Sequence, residues 1–177
     1  ATGEPVWVHR DTARFWESNA GAGPRSTPTL SGNRVYTLGA TGILNAMHAA
    51  TGARLWSRNT AAELTVKVPA WGFSSSPLVH ANSVIVAVSG HLAAYDANTG
   101  APLWSVATGA GSYSSPHLIN TDGVAQIVLL NDAGVASVAP ADGTILWKHT
   151  WSGFTSLQPA IVSPTELLVT SSGAAGG

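Results

Sequence analysis

Cysteine is absent from the 177 residues and methionine occurs once. That excludes disulfides and thiolate metal sites and leaves the redox compartment open, since a cysteine-free chain suits either side of a membrane. Charge is also scarce. Asp, Glu, Lys and Arg make up 10% of the chain, against roughly a quarter in an average domain. Eight basic and nine acidic side chains leave a net charge of −1, so no basic field exists to hold phosphate backbones and nucleic acid is not an expected partner. No apolar run approaches the roughly 20 residues of a membrane span, and no signal peptide stands at Ala1. The chain reads as cut at both ends, a segment of a longer protein.

What is abundant is hydrophobic residues at 45%, 19 glycines and seven tryptophans. Glycine is followed four residues later by tryptophan at Gly3/Trp7, Gly52/Trp56, Gly100/Trp104 and Gly143/Trp147, and these tryptophans are spaced by 49, 48 and 43 residues. Repeats of this length mark propellers or solenoids. Inside each period, short runs rich in Val, Ile, Leu and Ala alternate with Gly, Asn, Asp and Ser, the punctuation of strands and hairpins. In the third period the runs Ser75–His80, Ser83–Val88, His91–Asp96 and Pro102–Thr108 read as four strands, and the Ser89-Gly90 link admits only an antiparallel hairpin. Helix is nowhere expected.

A second marker recurs with the same register: Thr27-Pro28, Ser76-Pro77, Ser115-Pro116 and Gln158-Pro159 each open a unit. Proline at the first residue of a strand forfeits no ladder bond. The expected fold is all-β, a β-propeller of four-stranded antiparallel blades. Residues 1–177 make about half a ring: three full periods plus partial units at both ends. The chain is expected to begin at a blade's last hairpin and to end in a partial blade over residues 158–177.

The phrase Asp96–Trp104 shows what the repeat tail does. Gly100 supplies a positive φ for the turn, Asp96 accepts backbone N–H bonds from it, and the tryptophan covers the joint between blades. The pattern Ala94, Asp96, Thr99, Gly100, Trp104 resembles the tryptophan-docking motif of the PQQ-like (pyrroloquinoline-quinone-like) β-propeller repeats. The preceding period keeps Ala46, Thr51, Gly52 and Trp56 with His48 in the acidic position. The following one keeps Gly143 and Trp147, with Ser137, Ala139 and Asp142 elsewhere, and Trp7 ends a first, incomplete copy. The resemblance implies the fold and an exported, periplasmic setting. Its members span quinoprotein alcohol dehydrogenases, polyvinyl-alcohol-dehydrogenase-like proteins and the non-catalytic BamB-like scaffold of outer-membrane β-barrel assembly.

Propellers work at the mouth of the central channel, on loops feeding the innermost strands. Here these are Gly21–Pro28, Pro69–Pro77, Gly109–Pro116 and Trp151–Pro159. Candidate rim residues are Arg25 for a carboxylate, Trp71 and Tyr113 for stacking, and Ser26, Ser75 and Ser114 as hydroxyl partners. Against this stands the plainer expectation that such loops turn tightly and satisfy their own backbone with serine. The six histidines, at 9, 48, 80, 91, 117 and 149, never fall within four residues of one another, so no metal site is expected. His9-Arg10-Asp11 and the Gly21–Ser26 run superficially match a kinase loop and a dinucleotide fingerprint, but both fail on context.

No catalytic residue is assigned. Quinoprotein alcohol dehydrogenases close their pocket with adjacent cysteines and hold calcium with a Glu, Asn and Asp set, and this chain has no cysteine and no acidic cluster in the rim loops. The expectation is therefore a binding or scaffolding module without cofactor, its partner a protein segment or small ligand at the channel mouth. The remaining blades of a longer chain, or a second copy, would complete the ring. Part of a PQQ- and calcium-dependent alcohol or polyvinyl-alcohol dehydrogenase is the alternative.

Overall fold

A computed structural model describes residues 2–151, 153, 156–163 and 165–170. The end of the expected final unit, residues 171–177, and part of the loop 151–159 lie outside the described residues. A short hairpin, β1 (Trp16–Glu17) and β2 (Gly21–Ala22), precedes the first blade, which comprises β3 (Thr29–Ser31), β4 (Arg34–Leu38), β5 (Ile43–His48) and β6 (Arg54–Asn59). The second blade is β7 (Leu78–His80), β8 (Ser83–Val88), β9 (His91–Asp96) and β10 (Pro102–Ala107). The third is β11 (His117–Thr121), β12 (Val124–Asn131), β13 (Gly134–Val138) and β14 (Ile145–Thr150), followed by a two-stranded unit, β15 (Ala160–Ser163) and β16 (Glu166–Leu168). Each complete blade is a four-stranded antiparallel meander in chain order. The sheets do not close into a ring.

The central strands are buried on both faces, as strands must be when a sheet is sandwiched between two others. All six residues of β8 are buried. Because successive side chains point to opposite faces, Val84, Val86 and Val88 pack with Tyr36, Leu38, Leu44 and Trp56 of the first blade. Ile85 and Ala87 pack on the other side with Ile127, Leu129 and Val138 of the third. Ile119, Val128, Leu130 and Val135 then meet Leu167 and Val169 of the last unit. Each such aliphatic side chain contributes about 1.5–3 kcal/mol when fully buried, so the joints between blades are the core.

Two expectations need correction. One helical turn does occur, α1 (Thr60–Glu63), just after β6. Asn59 caps it by accepting the Ala62 N–H at 3.1 Å, and Arg58 pairs with Glu63 at 2.8 Å. Local capping of a Thr-Ala-Ala-Glu stretch outweighs the surrounding strand pattern. The N-terminal segment is also not a blade's last hairpin: Trp7 lies outside any strand and the first hairpin comes at β1–β2. With no strand paired to residues 2–9, nothing fixes them in a ladder. No helix is long and apolar enough to cross a membrane among the described residues.

Candidate functional site

The tryptophan of each repeat is cross-strand to a small residue of its own blade, Ala46 for Trp56, Ala94 for Trp104 and Ser137 for Trp147. From there the indole reaches forward to the turn of the next blade. Trp56 Nε1 donates to Ala97 O at 3.1 Å, Trp7 Nε1 to Ala49 O at 2.8 Å and Trp104 Nε1 to Pro140 O at 3.2 Å. In every case the acceptor lies three residues before the turn glycine. Gly100, at φ 73°, shows why glycine is used: a Cβ there would stand 2.7 Å from Trp56 Cδ2. Trp7 lies equally close to Gly52, and Trp104 to Gly143.

The Gly100 turn is held from within by Asp96, which accepts the N–H groups of Asn98 (2.9 Å) and Thr99 (2.8 Å) and the Thr99 hydroxyl (2.9 Å). These bonds, the Thr99 N–H first, hold its carboxyl below the usual value. Thr51 plays a smaller part, accepting the Ala53 N–H at 3.3 Å. Among the described residues no such turn stands against Trp147; its indole N–H goes to Gln126 Oε1 at 2.7 Å and it stays 36% exposed.

At the other end of each blade, the pre-proline residues link the blades in a chain. Thr27 N–H donates to Ser76 Oγ at 3.0 Å, and Ser76 N–H to Ser115 Oγ at 2.9 Å. Thr27, Ser76, Ser115 and Gln158, one from each unit, all line a single cavity of about 690 Å³ together with Glu17, Asn19, Arg25, Trp71, Ser74, Tyr113 and Ser156. Equivalent positions from successive units thus share one cavity, on the loops that the sequence places at the channel mouth.

Of the six candidate rim residues, the structure brings three together here: Arg25, Trp71 and Tyr113. The Trp71 and Tyr113 rings stand 5.5 Å apart at 46°, and Trp71 is 46% exposed. Arg25 is committed to its own hairpin, with Nη2 on Glu17 Oε1 at 3.1 Å and on Gly21 O at 2.9 Å, and its guanidinium 5.4 Å from the Phe15 centroid. Glu17 in turn accepts the Asn19 and Ala20 N–H groups at 2.7 Å each, and these, with Asn19 foremost, lower its pKa.

Ser26, Ser75 and Ser114 do not face the mouth. Ser26 Oγ donates to Leu38 O at 2.5 Å, and Ser75 Oγ accepts the Ala87 N–H at 3.1 Å. Ser114 Oγ donates to Leu157 O at 2.8 Å, and Ser75 and Ser114 are each 1% exposed. The loop runs extended into the innermost strand, so alternate residues point opposite ways. The middle serine ties the loop to the sheet, while its neighbours Ser74, Ser76 and Ser115 line the cavity. These last were missed as site residues, although the Thr/Ser-Pro marker had already singled out two of them.

A larger cavity, about 770 Å³, lies between residues 7–15 and the first blade, walled by Trp7, Phe15, Val35 and Met47, with Ser26 at its edge. There Asn45, fully buried, donates from Nδ2 to both carboxylate oxygens of Asp11 at 3.1 Å. His9 Nε2 lies 3.1 Å from the same carboxylate.

Comparison with known proteins follows this geometry. The family model described as "Outer membrane protein assembly factor BamB" matches residues 1–71 and 42–175. The outer membrane protein assembly factor BamB of Shewanella oneidensis is 29% identical over 171 residues, which are 93% of this chain and 39% of that protein. The chain thus spans about two fifths of that curated relative. Among solved structures, BamB from Moraxella catarrhalis superposes with a TM-score of 0.59 at 21% identity, over 78% of this chain and 44% of that one. A quinohemoprotein alcohol dehydrogenase of Pseudomonas putida HK5 gives 0.57 at 24% identity, over 72% and 20%. Both structural likenesses are likenesses of fold.

Proposed function

Because this chain belongs to the family of the outer membrane protein assembly factor BamB, built of PQQ-like propeller repeats, we propose that it is a non-catalytic binding and scaffolding module that works beside the outer membrane. Its blades form a rigid body, and the channel mouth is the face that meets a partner. The observation that carries this reading is the convergence of four equivalent pre-proline positions with Trp71 and Tyr113 in one cavity. Side chains anchored on blades linked to one another by hydrogen bonds present a preorganised surface, so little entropy is lost on binding. Trp and Tyr are the residues most often found to carry binding energy at such surfaces.

The quinone-dependent alternative is supported less well. PQQ carries three carboxylates, and the residues lining this mouth include one guanidinium, Arg25, which already neutralises Glu17. Among the described lining residues, that charge balance favours the scaffold reading over the quinone.

Exchange of the matched segment of the Shewanella oneidensis protein for this chain tests the proposal. The chimera is expected to sustain assembly of outer-membrane proteins in cells lacking their own BamB, and Trp71→Ala with Tyr113→Ala to weaken it without loss of the folded protein. A well-folded chimera that fails in assembly yet oxidises alcohols when given PQQ and calcium overturns the scaffold reading.

A further inference from the structure

We propose that the cavity at the channel mouth accepts an uncharged polyhydroxylated ligand of the carbohydrate class; the inference rests on the reading of this face as the binding face. The first argument is charge. Among the described lining residues the charged groups are Glu17 and Arg25, and they lie 3.1 Å apart as a pair. An anionic ligand finds no uncommitted cation there, and a cationic ligand no uncommitted carboxylate. Opening the pair to serve either one would leave its partner unpaired, which costs more than a new contact returns.

The second argument is the hydrogen-bonding inventory. Ser76 and Ser115 each receive a backbone N–H on the hydroxyl oxygen. Their own O–H hydrogens have no acceptor among the described residues, and the oxygens keep a second lone pair. Asn19 adds an amide, which both donates and accepts, and Gln158 another, whose Nε2 already donates to Pro116 O at 3.4 Å and whose Oε1 can accept. Such groups, neutral and two-way, match hydroxyls that are themselves both donors and acceptors.

The third argument is shape. The Trp71–Tyr113 pair makes an angled aromatic wall, 5.5 Å between centroids, against which the C–H face of a pyranose ring can lie, its weakly positive hydrogens toward the negative face of the indole. The lining beside that wall includes Thr27, Ser74, Ser76 and Ser115, with Ser74 Oγ donating to Tyr113 O at 2.9 Å. A peptide segment shares the hydrogen bonds but brings aliphatic side chains, for which the described lining residues offer Ala20 and Leu157. The volume of about 690 Å³ falls in the range of small-ligand sites and suits a short oligosaccharide.

The test is a titration of the whole chain with maltotriose, cellotriose and chitotriose, read by tryptophan fluorescence and calorimetry, beside an uncharged Ser/Gly/Tyr peptide of similar length. At least one trisaccharide is expected to give a saturable change at about millimolar concentration, unaltered by roughly 0.5 M NaCl because no charge is used. Trp71→Ala is expected to weaken it about tenfold or more, with the circular dichroism of the variant unchanged. Ser76→Ala is a second variant that keeps the aromatic wall and is expected to weaken the same sugar. Binding that salt abolishes, or that survives intact in both variants, overturns the proposal. If the peptide saturates at Trp71 and no sugar does, the carbohydrate inference falls and the binding face stands; if neither perturbs Trp71, both fall.

Discussion

Replacing Trp56 with alanine isolates what one joint contributes. The indole is 9% exposed, packs at 6.0 Å from the Tyr36 ring and sits on the Gly100 turn of the next blade. An indole buries on the order of 200 Å², which at about 25 cal/mol per Å² is an upper bound near 5 kcal/mol. Large-to-small changes of this kind cost roughly 3–5 kcal/mol. The Ala97 carbonyl is not orphaned, since Tyr36 Oη and Arg34 Nη1 still donate to it at 3.1 and 3.0 Å, so no further penalty is added. In a domain of this size, that corresponds to a melting point about 10 °C lower.

Trp147→Ala is the internal control. That indole is 36% exposed, meets no glycine turn among the described residues, and leaves Gln126 still bonded to Ser137 at 2.7 Å, so a loss of only about 1–2 kcal/mol is expected. The pair Trp56/Gly100 gives a sharper reading. Gly100→Ala alone places a methyl 2.7 Å from the indole at a φ of 73°; with the indole gone, the clash disappears and the backbone strain remains. Urea titration of both single variants and the double variant should show the double costing about 1–2 kcal/mol less than the sum. Equal losses at Trp56 and Trp147, or strict additivity in the cycle, would refute the docking argument.

Ser76→Ala, which removes the acceptor of the Thr27 N–H, should lower stability by about 1 kcal/mol, measured as a shift in urea midpoint; no shift would show that the axial chain of bonds carries nothing. Asp96 and Asp142 both have pKa values below their ordinary 3.8, chiefly through the Thr99 and Thr144 N–H groups, and Glu17 lies below 4.5. Depressed carboxyls stabilise the fold above these ordinary values, so stability should fall as pH drops from about 4.5 through 3.8 and lower, and Asp96→Asn should flatten that slope in acid denaturation curves. The isolated chain, with Val162 63%, Leu168 58% and Trp147 36% exposed, should self-associate at tens of micromolar; sedimentation as a single monomeric species would contradict this.

How far the sequence could be read depended on whether a feature repeats. Strands β8 and β9 fall on the runs Ser83–Val88 and His91–Asp96 that turn residues mark out, because three copies of one pattern average out local noise. The helical turn Thr60–Glu63 occurs once, so the period carries no trace of it, and only its Asn59 cap could have announced it. The rim shows the same divide at single-residue scale. Among three consecutive serines, 74 to 76, composition cannot say which faces the channel, since extended chain alternates sides and a one-residue error selects the buried set.

Repetition does decide it. Arg25, Ser74 and Tyr113 all stand three residues before a proline and all line the mouth. Ser26, Ser75 and Ser114 stand two before and all turn to backbone. Thr27, Ser76 and Ser115 stand one before and line the mouth again. Aligning the periods on proline, rather than on chemically attractive residues, separates the two sets from the sequence alone. What no alignment within the chain supplies is the state of Arg25. Its neutralisation by Glu17 depends on the β1–β2 hairpin, a feature present once, and with it goes the strongest electrostatic reason to expect an anion at the channel mouth.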